Sequence, residues 1–409
     1  MVRTQDIWTL GRRRWVLFGL FAGPGFAISS WVARTPEIRD SLAATTTEMG
    51  LVLFGVSAGA ILGLGASAPL IRWAGTRRIA MTGMTGVVAS MPAVGMGAHL
   101  GSAFLVTLGL FLFGLGMGLA EVAANVEAAS LEREAAFSVL RPMHGWFSIG
   151  AAIGALAGMG SIIASVPVFM HLALVGILVS PILLLGRGLS SHAQQGTPSP
   201  RRRRSQARAL KWWSDKKLLL VGIIVFSTAL AEGAATDWLP LVMVDGHGNS
   251  AAMGSVIFAA FACFMAIGRF SGGYLLNRYR TSSVFRLSAA LAILGIGCVV
   301  FVGNQVVAGF AVVLWGLGLA LGVPVAIAAV ADSSADAPAR VAFVTVMGYL
   351  ALLGGPPALG ALGGEIGLRG ALLLPWALLI GTIFLAPALN PLRAVRVEMP
   401  SNNASSGPD

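Results

Sequence analysis

The chain has 409 residues, 56% of them hydrophobic and 11% charged, with a mean hydropathy of +0.81 and a formal charge of +11 at pH 7. A soluble domain carries roughly 25% charged residues, so this composition excludes an ordinary polar surface. The two cysteines, Cys263 and Cys298, fall in separate apolar runs and read as packing residues, with no disulfide framework and no metal set.

Twelve apolar stretches are predicted as membrane-spanning helices, because lipid offers no partner to an unpaired backbone amide. They lie at 15–34, 48–70, 79–98, 102–127, 143–164, 166–187, 217–238, 251–275, 283–303, 305–328, 341–363 and 367–389. Each has about 20 residues or more, enough to cross ~30 Å of hydrocarbon at 1.5 Å per residue. The first follows Arg12-Arg-Arg14, ends in Ser30-Trp-Val-Ala-Arg-Thr-Pro36 and leads straight into the second. It is expected to be a retained helix and not a cleaved export signal.

In the first span Trp31, Arg34 and Thr35 share one face near its outer end, by their i, i+3, i+4 spacing. In the fourth, Glu121 and Asn125 are four apart and share a face, while Glu127 points about 120–160° away. The fifth opens with Pro142 and His144, a gate or pH-sensing candidate and also an ordinary helix-start residue. It continues with Gly150, Gly154 and Gly158, whose spacing suits close helix packing. In the seventh, Glu232 lies about 7–8 Å deeper than Asp237 and Trp238. A charge inside a span costs roughly 2.5–3.5 kcal/mol and needs a partner, a cavity or a proton. Glu121 and Asn125 are therefore candidates to line a solute cavity with Trp31 and Trp238, and Glu232 and Glu121 are candidate proton carriers. A purely structural role for each acid remains open.

The halves of the chain echo one another about 205 residues apart: Trp31…Pro36 returns as Asp237-Trp-Leu-Pro240, and Gly114-Leu-Gly116 as Gly316-Leu-Gly318. Two basic turns, Pro69…Arg78 and Tyr274…Arg280, also correspond. Parallel repeats of this size predict two six-helix bundles, 1–187 and 217–392, related by an axis normal to the membrane. Between them, 188–216 reads as a basic linker, with Arg201-Arg-Arg-Arg204, that touches anionic lipid headgroups; 393–409 reads as a disordered tail. Echoing helix ends face each other, so Arg34 and Asp237 are candidates for an outer gate, with Trp31 and Trp238 as its apolar plug. Interfacial anchoring accounts for either tryptophan alone equally well.

With the amino terminus inside, every Lys and Arg falls in a cytoplasmic segment except Arg34, Arg39 and Arg369 outside and Arg269 within a helix. This is the positive-inside bias. It places both termini in the cytoplasm of a bacterial inner-membrane protein and removes any need for a nucleic-acid partner.

Gly268-Arg-Phe-Ser-Gly-Gly-Tyr-Leu-Leu-Asn-Arg-Tyr-Arg280 resembles the loop signature of the major facilitator superfamily: glycine, small residues, an acid, a base, glycine and further bases. Arg72 and Asn277 stand where the acid is usual. The signature implies a cytoplasmic latch, here with Arg72, Arg77, Arg78, Asn277 and Arg278, joined by Glu127, His144 and Arg269. Ser30…Arg39, Ala120…Glu127, Glu132-Arg133, His144-Gly145, Glu232-Gly233, Asp237…Gly248 and Gly354-Gly-Pro-Pro357 together resemble the YbjJ-like and MosC-like inner-membrane branch. That likeness implies an all-α membrane protein of twelve helices in two bundles, alternating access about a midplane cavity, and no substrate class.

Other chemistry is thin. No phosphate-binding glycine loop precedes Lys-Ser or Lys-Thr, no His/Cys cluster has metal spacing, and the loops are too short for a catalytic domain. The expectation is a monomeric, cofactor-free secondary transporter of a small solute, coupled to protons and not an enzyme. A proton-coupled multidrug exporter and a transport-dead sensor are the alternatives; Gly154-Ala155, where drug exporters often carry glycine-proline, weighs against the first.

Overall fold

The computed structural model describes residues 4–134, 139–186, 189, 215–331 and 337–390. The predicted tail and nearly all of the predicted linker lie outside them.

Helix α1 (Thr4–Val32) is followed by a short surface helix, Thr35–Leu42, then by α2 (Thr46–Ala74), α3 (Thr76–His99), α4 (Ala103–Glu134), α5 (Leu140–Ile163) and α6 (Val168–Val179, continued by Pro181–Leu185). The second half comprises α7 (Lys216–Leu241, running into a π turn at Val242–Gly246), α8 (Ala251–Arg278), α9 (Thr281–Phe301), α10 (Gln305–Leu319, continued by Gly322–Ala331), α11 (Ala337–Ala371) and α12 (Leu373–Leu385). Among the described residues, eleven helices are long and apolar enough to cross a membrane, and Leu373–Leu389 is a shorter apolar twelfth.

Local chemistry sets the boundaries. Thr45 and Glu48 form a capping box before α2, Ser250 accepts from the Met253 N–H before α8, and Asn304 accepts from Val306 and Val307 before α10. Gly367, at φ 77°, takes a backbone conformation that few residues other than glycine adopt and breaks the path between α11 and α12. The surface helix was not anticipated, since its eight residues are not apolar. It starts at Thr35 with Pro36 in its first turn, where a fixed φ is suited, and stops at Ala43 in the left-handed region.

Packing repeats between the halves. Helix α1 packs on α5, α2 on α4, α3 on α4 and α3 on α6; α7 packs on α11, α8 on α10, α9 on α10 and α9 on α12. Each pair returns six helices later, so the echo in the sequence is an echo in contacts. The halves meet where α2 packs on α11 and α5 on α8, two crossings that the same repeat exchanges. Outside, large side chains such as Phe104, Phe310 and Phe384 are exposed, as befits a surface whose solvent is hydrocarbon.

Candidate solute cavity

A cavity of about 190 Å³ lies on the seam between the halves. Helix α1 contributes Leu20, Phe21 and Pro24, α4 contributes Met117, Ala120 and Glu121, α5 contributes His144 and Phe147, and α8 contributes Arg269. Phe21 meets the His144 ring edge-on at 4.8 Å. The basic turns Arg72–Arg78 and Arg278–Arg280 mark one face of the molecule, called here the basic face. Arg269 lies about 13 Å along α8 from Arg278, and Glu121 about 20 Å along α4 from Glu134, so the site sits inside the membrane, toward that face.

The charges of the cavity are not equally matched. Arg269 donates to the Glu232 carboxylate of α7 at 2.7 Å and to Ser148 Oγ of α5 at 3.2 Å. One guanidinium thus closes an ion pair within its own half and ties that pair to the other half. Glu121 has no hydrogen bond or ion pair among the described residues; Tyr349 of α11 lies within electrostatic range. Glu232 and Arg269, expected to act separately, are partners here.

The remaining candidates divide. Asn125, one turn from Glu121, does not border the cavity. Glu127, turned away as its spacing predicts, is buried and accepts from Arg13 of α1 at 2.9 Å; Arg13 also reaches Glu134 at 2.5 Å. Arg13 had read only as a positive-inside charge. Trp31 and Trp238 are buried, with indole N–H groups lacking acceptors, and neither borders the cavity in this conformation. Arg72, Arg78, Asn277 and Arg278 are exposed on the basic face, and among the described residues no carboxylate pairs with them or with Arg77.

At the opposite face Arg34 and Asp237 do not meet. Arg34 is held by Glu37 three residues on, at 2.5 Å, and by the Val166 carbonyl at 2.7 Å. The ion pair that joins the halves there is Arg39 with Asp245, and Asp40 also accepts from Arg39. The sequence held a signal for it: these residues are 206 apart, the spacing of the echo. Three hydroxyl bonds cross the same seam, Thr47 Oγ1 to the Gly360 carbonyl at 3.3 Å, Ser57 Oγ to Leu352 at 2.7 Å and Ser255 Oγ to Ala33 at 2.7 Å. No metal-binding cluster occurs among the described residues.

Asp215 caps α7 by accepting from the Leu218 N–H at 3.1 Å and pairs with Arg340 of α11 at 2.7 Å. Burial pushes its carboxyl up, but the Leu218 N–H and the Arg340 guanidinium outweigh this and hold it below the usual range. Its folded pKa is depressed, so its stabilisation is present above the unfolded value of about 3.9 and disappears as pH falls through the folded value. Asp215→Asn should therefore melt below the native protein at pH 7, and the gap should close in melts near pH 3. A gap that persists at pH 3 would mean that the carboxylate charge is not its source.

Twelve helices in two repeated halves around a charged cavity define a multi-pass membrane protein of the transporter class. The chain belongs to the Major Facilitator Superfamily, whose sequence profile matches residues 16–356. It is 28% identical over 345 residues to the uncharacterized transporter y4wD of Sinorhizobium fredii, covering 83% of this chain and 88% of that protein. It is 26% identical over 356 residues to the membrane protein MosC of Rhizobium meliloti, covering 85% and 83%. Among solved structures, the nucleoside transporter NupG superposes with a TM-score of 0.70 at 13% identity, over 93% of this chain and 98% of that one.

Proposed function

We propose that the protein is a secondary active transporter that moves a small polar or amphipathic solute across the bacterial inner membrane by alternating access, driven by the proton gradient. The observation that carries this reading is the seam cavity itself. It holds an unmatched carboxylate, Glu121, and lies below an opposite face where Arg39–Asp245 and three hydroxyl bonds join the halves. In this reading the basic face and both termini are cytoplasmic, and this conformation is closed toward the outside. Glu121 serves the solute, Asn125 one turn away joins it only as the path opens, and Glu232 takes the coupling proton when it releases Arg269. When the outer face opens, Trp31, Trp238, Arg34 and Asp237 come to line the solute path and its gate. The basic turns and Glu127 act on the cytoplasmic side.

The test is the outer closure. The Arg39 and Asp245 side chains are 18% and 31% exposed, so their pair is worth about 1 kcal/mol at most, a shift of roughly fivefold in the inward-to-outward ratio. Arg39→Gln and Asp245→Asn should each raise labelling of a cysteine at position 255, where the native serine is fully buried in the seam, by a membrane-impermeant maleimide in whole cells. The swap Arg39→Asp with Asp245→Arg should lower it again. Unchanged labelling in both single variants would remove this pair from the closure.

A further inference from the structure

We propose that Glu121 is a cation site, whose carboxyl group holds in turn a proton or the ammonium group of a compact amine with an apolar body of about one ring. The inference rests on the transporter reading above and supplies its substrate class.

The charge balance points there first. Arg269 gives two of its five N–H donors to Glu232 and Ser148, and its formal positive charge is neutralised by the paired Glu232 carboxylate, so the cavity offers an anion no unpaired guanidinium charge. Glu121 is left as the unmatched acid. A carboxylate without a counter-ion is not sustained inside a membrane, so a proton or a cation must accompany it. His144 of α5, Arg269 of α8 and Tyr349 of α11 are the titratable or charged groups near Glu121. Helices α2 and α3 carry theirs only at their ends, at Glu48, Arg72, Arg77, Arg78 and His99. On α1, Arg13 is bound to Glu127 and Glu134 and Arg14 lies over the Phe18 ring.

Size and wall chemistry supply the rest. An apolar cavity of about 150 Å³ accepts benzene, so about 190 Å³ takes one ring with a short substituent and little more. Leu20, Phe21, Pro24, Met117 and Phe147 form the apolar wall, and a wall with two aromatic rings suits an ammonium better than a carboxylate. Binding is an exchange in which protonated Glu121 gives up its proton to solvent, and the resulting carboxylate accepts hydrogen bonds from the incoming ammonium.

Benzylamine, benzyl alcohol and benzoate share one ring and differ in charge. They can be titrated calorimetrically into the purified full-length protein at pH 6, in two buffers of different ionisation enthalpy. Benzylamine should bind with release of a proton, and the alcohol and the acid at least about tenfold more weakly, since hydrogen bonds to a charged group are worth that factor or more. Glu121→Gln should weaken benzylamine by a similar factor and abolish the proton release. Glu121→Asp should keep the release, and it serves as the folded control should the glutamine variant be unstable. No benzylamine binding, equal binding of benzoate or benzyl alcohol, or proton release that survives Glu121→Gln overturns the proposal. If benzylamine binds as described but is not moved by proteoliposomes under an imposed pH gradient, the site stands and the transporter reading falls.

Discussion

Glu232→Gln should lower the melting midpoint more than Arg269→Gln, and the double variant should recover most of the loss. Removing one partner of a fully buried ion pair costs 3–5 kcal/mol. Here both side chains keep 28% of their surface exposed, which reduces the expectation to about 1–3 kcal/mol. The two single variants are unequal because the stranded group differs. In Glu232→Gln the stranded group is a guanidinium, which does not lose its proton in a protein, whereas a stranded carboxylate is a kind of group that can be neutralised. Ser148 still accepts from Arg269 in Glu232→Gln, but a neutral hydroxyl does not offset a charge. Intrinsic tryptophan fluorescence on heating reads the order directly; equal losses without recovery in the double variant would mean that the two groups are energetically independent. The same variant tests coupling. With a neutral amide in place of the protonated acid, Glu232→Gln should retain solute exchange and lose gradient-driven accumulation, and full accumulation would take Glu232 out of the mechanism.

Gly360→Val should part the halves at the face opposite the basic turns. A Cβ added there lies 2.8 Å from Gly50 Cα and 3.1 Å from the Thr46 carbonyl, and one added at Gly50 lies 2.8 Å from the Pro356 carbonyl. The obstructing atoms are backbone, so no side-chain rotation relieves them, and α2 and α11 must separate. Overpacking of this kind costs about 1–3 kcal/mol. If it falls only on the state in which the helices cross here, it becomes a gain of roughly fivefold to 150-fold for the other state. In a background with Cys263 and Cys298 replaced by serine, a cysteine at the buried position 255 should gain impermeant-maleimide labelling in Gly360→Val well beyond that in the Arg39 or Asp245 variants. Native labelling with a native melt would show that the crossing does not hold the face shut.

The spans were legible because hydropathy over 20 residues is a property of the chain alone, and so was the duplication, which the helix contacts repeat. Gly150 and Gly154 do pack on α1, against the backbone of Ala22 and Phe26. What lay beyond reach was which face meets which. Helical spacing separated Glu121 from Glu127, yet said nothing of what either would touch, and Arg13 emerged as Glu127's partner only through an approach of residues 114 apart. Glu232 and Arg269 were both marked as charges within spans, but helical spacing cannot relate residues on different helices. Arg39–Asp245 was within reach. The echo points to residues about 205 apart, and Arg39 and Asp245, 206 apart, each lie about two turns beyond the echoing tryptophans.

The hydroxyl bonds across the seam bear on how readily it parts. Ser255 Oγ lies 2.7 Å from Ala33 in the other half and 3.0 Å from the Ala251 carbonyl of its own helix, and Ser57 has the Leu53 carbonyl one turn back within the reach of a rotated hydroxyl. In the alternating-access reading the halves part here, and each proton would then swing from the foreign carbonyl to the domestic one. The membrane interior penalises any donor left bare, but these two would be bare for no longer than a rotamer flip. On that reading separation would not wait for water to enter, and exchanging either serine for alanine should change its rate little, whereas asparagine, too long to turn back on its own helix, should slow it.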